Sequence, residues 1–531
     1  MIKRKSLNLT EKSVESAKNS RKIWGSSYIF VPTLLLMAFL LVSCGIDWNN
    51  PPRLATATAQ AEATSTPEPL FLPAPTNTPG AALATAVSPI NYDWPTLTIW
   101  IDEISPEHEA LLQKMTETFS QAYEITVELR LIEPSRLPKL METAVLSDTM
   151  PDLVLHPLAY TADWASRGIL NTAATDAAIR TIGLETFDPD AIQLITENGQ
   201  ITALPSDGYK QILLYRTDWF TEKGLATPDN YQAMFTAAET ITDTANLVYG
   251  FVIPTESNLI TTHQAFEQIA TANGCQLIDA NGQVQLDTPA CRDAIDFYYN
   301  IVHQFSPPGV QTDTSAQNAY LTGRTGMIMG TPALLPKLAG LDPTAMPACV
   351  ECDTAVTPNY LSQNTGIVTE ITGRGETAVP AAYGQIRSWG ITTKADPDIA
   401  TIFLTYWFNE GYAQWLGVDS ATKVPMRWGT AESPTQFIDT WGTTPLLNSN
   451  HSLADIYGQT TIIQLRDGIA QTARWGYSQG QGRVIGPIYR ELTFAIVLQE
   501  MLSGYFPPGQ TITQASNRVI DLIPEYAFSN E

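Results

Sequence analysis

The chain has 531 residues, more than a single hydrophobic core usually spans, so more than one packing unit is expected. Its hydrophobic share of 44% excludes wholesale disorder, and its formal charge of −24 excludes a surface built to hold nucleic acid or anionic lipid. The first element is the apolar run Tyr28–Val42, whose 15 residues fall short of the roughly 20 that span a bilayer. Lys3, Arg4, Lys5, Lys12, Lys18, Arg21 and Lys22 precede it, against Glu11 and Glu15. A basic start, a short apolar run and a small residue at its end read as a secretory signal.

The run closes on Leu41-Val42-Ser43-Cys44, which resembles the bacterial lipobox. The resemblance implies that Met1–Ser43 is removed and that Cys44 is lipidated as the new first residue. Two or more acyl chains anchor stably where one binds marginally. The removed segment holds seven basic and two acidic residues, which leaves 23 and 52, a charge of −29. So acidic a surface needs such a tether to stay at a membrane. Residues 44–92 follow, rich in Pro, Thr and Ala from Pro51 to Ile90, with Arg53, Glu62 and Glu68 as that stretch's only charges. Such a stretch cannot bury enough apolar surface to offset chain entropy, and reads as a flexible stalk.

Order is expected from Leu97-Thr98-Ile99-Trp100-Ile101, a strand. A helix over 107–123, a strand over Ile125–Leu131, a helix over Pro134–Leu146 and a strand over Met150–Leu155 follow. This β-α-β-α-β order predicts a parallel sheet with helices on its faces. Strands are expected at Ile201–Pro205, Gln211–Tyr215 and Tyr249–Ile253, and helices at Asp218–Lys223, Asp229–Ile241, His263–Asn273 and Pro289–Phe305. The Gly323–Gly330 stretch reads as a strand, 340–380 as loop, and Ser388–Thr392 as a strand. Helices at Pro397–Asn409, Tyr489–Leu502 and Ile512–Ile523 close the chain.

Four cysteines remain after Cys44, and an even count in an exported chain favours disulfides. Cys275 and Cys291 flank a segment that turns at Asn281-Gly282, so its ends should lie close. Cys349-Val350-Glu351-Cys352 offers a redox pair, half a zinc site or a local disulfide; with no second such pair and no nearby histidines, the local disulfide is expected. No metal and no cofactor are expected.

The ordered set of Leu97–Ile101, Ser147–Val154, Ala165–Leu170, Asn198–Pro205, Leu214–Phe220, Gly323–Gly330 and Trp389–Lys394 resembles extracellular solute-binding proteins of bacterial ABC importers, of the maltose-binding-like, carbohydrate-uptake type. The likeness covers nearly all of 96–525. It implies an α/β, two-lobed periplasmic-binding-protein-like fold with discontinuous lobes and a hinge. Lobe 1 would hold about 93–205 plus 387–435, and lobe 2 about 207–386 plus the C-terminal helices. Ligand would sit between them at strand carboxyl ends and closure would be a hinge motion. Carried over position by position, the expected contacts are Asp102 and Glu103 after the first strand, His156 and Tyr160 after the third, and Asp207 and Tyr209 at the crossing. Ser257, Thr331 and Tyr489 complete the set, with Trp100 and Trp389 as aromatic candidates. Trp428, Trp475 and Tyr477 are further aromatic candidates for the cleft. Sugar sites need aromatic faces together with carboxylates and amides. Maltose-binding relatives carry tryptophan where this chain has His156 and Ala333, a departure that points away from maltodextrin.

The expected function is therefore a lipid-anchored extracytoplasmic receptor, a monomer, that hands a solute, a sugar first, to the permease of an ABC importer. Neither a nucleotide-binding Gly-x-x-x-x-Gly-Lys-Ser/Thr loop nor a bundle of spanning helices is present in the sequence. The rival class is an anchored glycoside hydrolase using a pair such as Asp102 and Asp207. A sensory or adhesive protein on the same fold is the third reading.

Overall fold

The computed structural model describes residues 94–352, 359–446 and 449–523. The signal segment, Cys44 and the stalk lie outside the described residues. Among the described residues, no helix is long and apolar enough to cross a membrane.

Eleven strands appear in the described chain: β1 (Thr96–Ile101), β2 (Thr126–Leu131), β3 (Leu153–Pro157), β4 (Thr196–Glu197), β5 (Gln200–Ile201), β6 (Leu204–Lys210), β7 (Ile212–Arg216), β8 (Met327–Gly330), β9 (Thr365–Val368), β10 (Gly384–Ile391) and β11 (Val424–Pro425). The first sheet runs β11-β6-β10-β3-β1-β2. Within it β1 is parallel to β2 and β3, as the β-α-β-α-β pattern predicts, and β10 is antiparallel to β3 and β6. The second sheet, β8-β7-β9, is antiparallel throughout.

Alternation in β1 explains how the first sheet is sandwiched. Leu97, Ile99 and Ile101 are buried with Leu112, Phe119, Trp389 and Trp407 on one face. Trp100 points to the other face with Leu137, Met141, Tyr160 and Trp164. Ser105 caps the Pro106–Tyr123 helix by accepting from the His108 amide, and Pro106 supplies the fixed φ suited to its first turn.

Two chain crossings join the sheets, and they touch. The single residue Gln211 separates β6 from β7, and its amide donates to the Tyr383 carbonyl at 2.8 Å, just before β10 begins. Gly384 sits where a third segment closes in. A Cβ there would lie 2.5 Å from the Ile469 carbonyl oxygen, so a side chain would force this junction apart. Short paired crossings of this kind concentrate bending at a few backbone positions.

Several expectations need correction. Tyr249–Ile253 forms isolated bridges, Tyr249 to Thr325 and Val252 to Ile328, rather than a regular strand. The 340–380 stretch is not all loop, because β9 pairs along β7 from Leu213 to Arg216. The helix expected to reach Asn409 ends at Tyr406 and runs through one wide turn, Trp407–Gly411, into Tyr412–Gly417. The Tyr489–Leu502 helix is broken at Leu492, whose φ of 51° lies in the left-handed region. The helix at Leu453–Arg466 carried no expectation. The C-terminal part does not keep to one lobe. Tyr477 donates to the Leu158 carbonyl at 2.5 Å and Arg490 donates to Glu142 at 2.9 Å, both on the first-sheet side. The Pro508–Leu522 helix instead packs on Pro289–Phe305.

Cys275 is bonded to Cys291 and Cys349 to Cys352. The first pair closes the turn at Asn281-Gly282, where Ile278 bridges Val284 and Gly282 takes φ 82°.

Candidate functional site

A cleft of about 290 Å³ opens between the two sheets. One wall is built where parallel strands end: Asp102 and Glu103 follow β1, Glu133 and Ser135 follow β2, and Pro157 ends β3. This is where open α/β sheets present ligand groups. The facing wall is built from helix starts. Asn258, Leu259 and Thr261 open the Ile260–Ala272 helix, and Asp313 opens Asp313–Leu321. Asp313 accepts from the Thr261 hydroxyl at 3.0 Å, which ties the two helix starts together. Thr331, just past β8, lines the same wall. Tyr209 of β6 and Gln385 and Arg387 of β10 form the floor.

The floor is fixed by a buried ion pair. Register places Arg387 directly opposite Asp207, and the pairing then shifts so that Ser206 is the extra residue of a bulge. Bulges re-aim side chains beside sites. Arg387 donates through Nε and Nη2 to Asp207 Oδ1, at 3.0 and 2.5 Å. Asp207 Oδ2 accepts from Trp415 Nε1 at 2.7 Å and from the Ser206 hydroxyl at 2.8 Å. The guanidinium lies 5.1 Å above the Trp415 ring and 3.9 Å from Glu103. Lys423 covers the same ring at 3.6 Å, donates to the Trp415 and Val418 carbonyls, and contacts His108 Nε2. His108 Nδ1 faces Ser105 and Glu103 in turn.

Burial sets the protonation of this network. It pushes the Asp102 carboxyl up to about 8, against the pull of Arg387. Burial, with Arg387 beside it, lowers Lys423 to about 7. Burial and the nearby Lys423 hold His108 down at about 2, so its ring is neutral. Asp102 is 5% exposed, and its Oδ1 has no hydrogen-bond partner in the protein.

Of the sequence-derived contacts, the structure brings Asp102, Glu103, Tyr209 and Thr331 together in the cleft. The others lie elsewhere. Asp207 is fully buried beneath the floor and holds Arg387. Ser257 adjoins Asn258 without lining the cleft. His156 is a core residue, 3.1 Å from the Thr161 hydroxyl and tilted against the Trp164 ring, and burial lowers it to about 4. Tyr160 is buried against the same tryptophan. Trp389 is buried against Trp407 and Phe403. Trp100 carries Arg130 over its ring in a groove behind the sheet. Tyr489 donates to Glu267 at 2.8 Å beside a small pocket also lined by Trp475, Tyr477 and Tyr383. Among the described residues, no tryptophan lines the cleft, Trp428 included, and Tyr209 is its single aromatic ring.

Glu133, Asp313 and Arg387 carried no expectation. Glu133 had a legible signal, since it follows β2 as Asp102 follows β1. Arg387 had another, a lone charge in the otherwise uncharged strand Gly384–Ile391. Asp313 faces the cleft only because the second sheet folds back, which local pattern does not reveal. Among the described residues, no three His, Cys, Asp or Glu side chains converge to hold a metal.

A family model described as bacterial extracellular solute-binding protein matches residues 114–443, more than half of the chain. The chain belongs to this family. A curated Escherichia coli protein, YcjN, named as an ABC transporter periplasmic-binding protein, is 25% identical over 236 residues. That match spans 44% of this chain and 54% of the relative, about half the relative's length. A sugar transporter from Arthrobacter chlorophenolicus with bound laminaribiose superposes with a TM-score of 0.62 at 14% identity, covering 80% of this chain and 99% of the other. An Agrobacterium vitis solute-binding protein with bound D-mannitol gives 0.59 at 17% identity, covering 82% and 100%. These likenesses establish the two-lobed α/β fold of this solute-binding protein.

Proposed function

We propose that this solute-binding protein captures one small polyhydroxylated solute, of monosaccharide or alditol size, and hands it to the permease of an ABC importer. It does so as a monomer tethered through lipidated Cys44. The observation that carries the reading is the make-up of the cleft. Carboxylates on the strand-end wall accept from hydroxyls. Arg387, Gln385, Asn258 and the amides at the start of the Ile260–Ala272 helix, which has no side-chain cap, donate to them. A volume near 290 Å³ and a single ring, Tyr209, suit one sugar unit rather than a row of stacked pyranoses. Similar solved structures with bound D-mannitol, ribitol and tagatose support a ligand of this size.

The Asp102 and Asp207 pair named for hydrolysis does not meet in the cleft. Asp207 is fully buried and bound to Arg387 and Trp415, so it cannot reach a glycosidic bond in the cleft. Thermal denaturation of the full chain in detergent, with alditols, monosaccharides and maltooligosaccharides, tests the reading. A bound alditol or monosaccharide at 100 times its dissociation constant should add about 2.7 kcal/mol of stability. Tightest binding by a trisaccharide or longer chain would refute it.

A further inference from the structure

We infer that the solute held in this cleft carries a protonated amine beside its hydroxyls, as an amino sugar or amino polyol does. The inference rests on the reading of the cleft as a site for one small polyhydroxylated solute. Glu103 and Glu133 line one wall beside Asp102, which keeps its proton at neutral pH, and Asp313 lies on the other, while Arg387 is the single cation among the lining residues. Arg387 does not balance them, because its Nε and Nη2 are bound to Asp207 beneath the floor. The two helix starts on the facing wall offset about half a charge each. The cleft therefore keeps a negative excess.

These carboxylates do not converge on one point, since no group of three acidic, His or Cys side chains among the described residues could hold a metal ion. A dispersed organic cation fits that spread better. Of the acids, Asp102 is buried and Asp313 half-buried. Asp102 is 5% exposed with Oδ1 unpartnered, and burial raises the Asp313 carboxyl above its ordinary value. Glu133 is fixed in place, accepting from the Ser135 amide and hydroxyl. Closing the cleft on a neutral polyol would strip water from the Glu103, Glu133 and Asp313 carboxylates with no counter-charge, which is costly. An ammonium group offsets that cost, and the remaining hydroxyls use the amide and guanidinium donors. The ammonium belongs between Glu133 and Asp313, which lie on opposite walls and, unlike Glu103, form no ion pair with Arg387.

Titration calorimetry on the full chain in detergent tests this with matched pairs: D-glucosamine against D-glucose, and glucamine against D-sorbitol, with spermidine as a cation lacking hydroxyls. Each amine should bind about tenfold or more tightly than its hydroxyl partner at neutral pH and low salt. The advantage should shrink in about 0.5 M salt, where exposed charges are screened. It should also shrink in Asp313→Asn and in Glu133→Gln, which lie on different walls, so that misfolding of one leaves the other informative. Equal affinity within both pairs overturns the amine inference and leaves the polyol reading standing. Tight binding of spermidine, with no response to any sugar or alditol, overturns both.

Discussion

Replacing Arg387 by methionine should destabilise the protein by about 3–5 kcal/mol, the usual cost of leaving one partner of a buried ion pair alone. The estimate follows from Asp207, which is wholly buried and keeps only Trp415 Nε1 and the Ser206 hydroxyl once the guanidinium is gone. Asp207→Asn should cost less, about 1–3 kcal/mol. The amide still accepts from Trp415, and Arg387 keeps Glu103 at 3.9 Å together with the Trp415 ring. The double variant removes both charges, so its loss should fall short of the sum by about 1 kcal/mol or more. Urea unfolding followed by tryptophan fluorescence reads all three, with the dependence on urea checked to be the same in each. Additivity within ~0.5 kcal/mol, or an Arg387→Met loss under ~1 kcal/mol, would refute the account of the floor.

Asp102→Asn tests the burial of that carboxyl. Between its ordinary 3.8 and about 8 only the folded chain holds the proton, so the wild type loses up to about 1.4 kcal/mol per pH unit over that window. The variant carries no such proton, so it should gain on the wild type as pH rises from acid to about 8; a pH-independent difference would show the carboxyl to be solvated. Cys44→Ala should move the protein out of the detergent phase, and membrane fractionation through an uncleaved leader would contradict lipidation. Any bound solute should be recovered chemically unchanged after long incubation, and hydrolysis abolished by Asp102→Ala would return the protein to the enzyme class.

Much of the fold was legible because it is local. The periodicities of β1 through β3 and their helices fix a parallel sheet, and the resemblance to solute-binding proteins places Asp102 and Glu103 after its first strand. What escaped was set by long-range pairing. β9 reads as loop because Thr365-Gly366-Ile367-Val368 has no alternation of its own and becomes a strand only against β7. The aromatic candidates misled for a related reason. Trp389 and His156 sit on strands of the first sheet and pack in its core, and the resemblance placed them by position along the chain rather than by burial. Asp207 was located correctly near the crossing, yet the Ser206 bulge turns it under the floor to hold Arg387. The residue types were thus informative about chemistry, while the third dimension decided which of them line the cleft.

The central claim is that two lobes hinge at Gln211 and Tyr383 to enclose one solute between the strand-end wall and the helix-start wall. Nitroxide labels at Ile104→Cys and Val310→Cys report it most directly. Both sites are exposed, at 57% and 50%, and adjoin opposite walls through Glu103 and Asp313. The cysteines among the described residues are paired, and a Cys44→Ala background leaves the labels unambiguous. Pulsed dipolar spectroscopy should give a shorter distance when a saturating solute is added and the longer one again on its removal. An unchanged distance with solute bound would contradict closure.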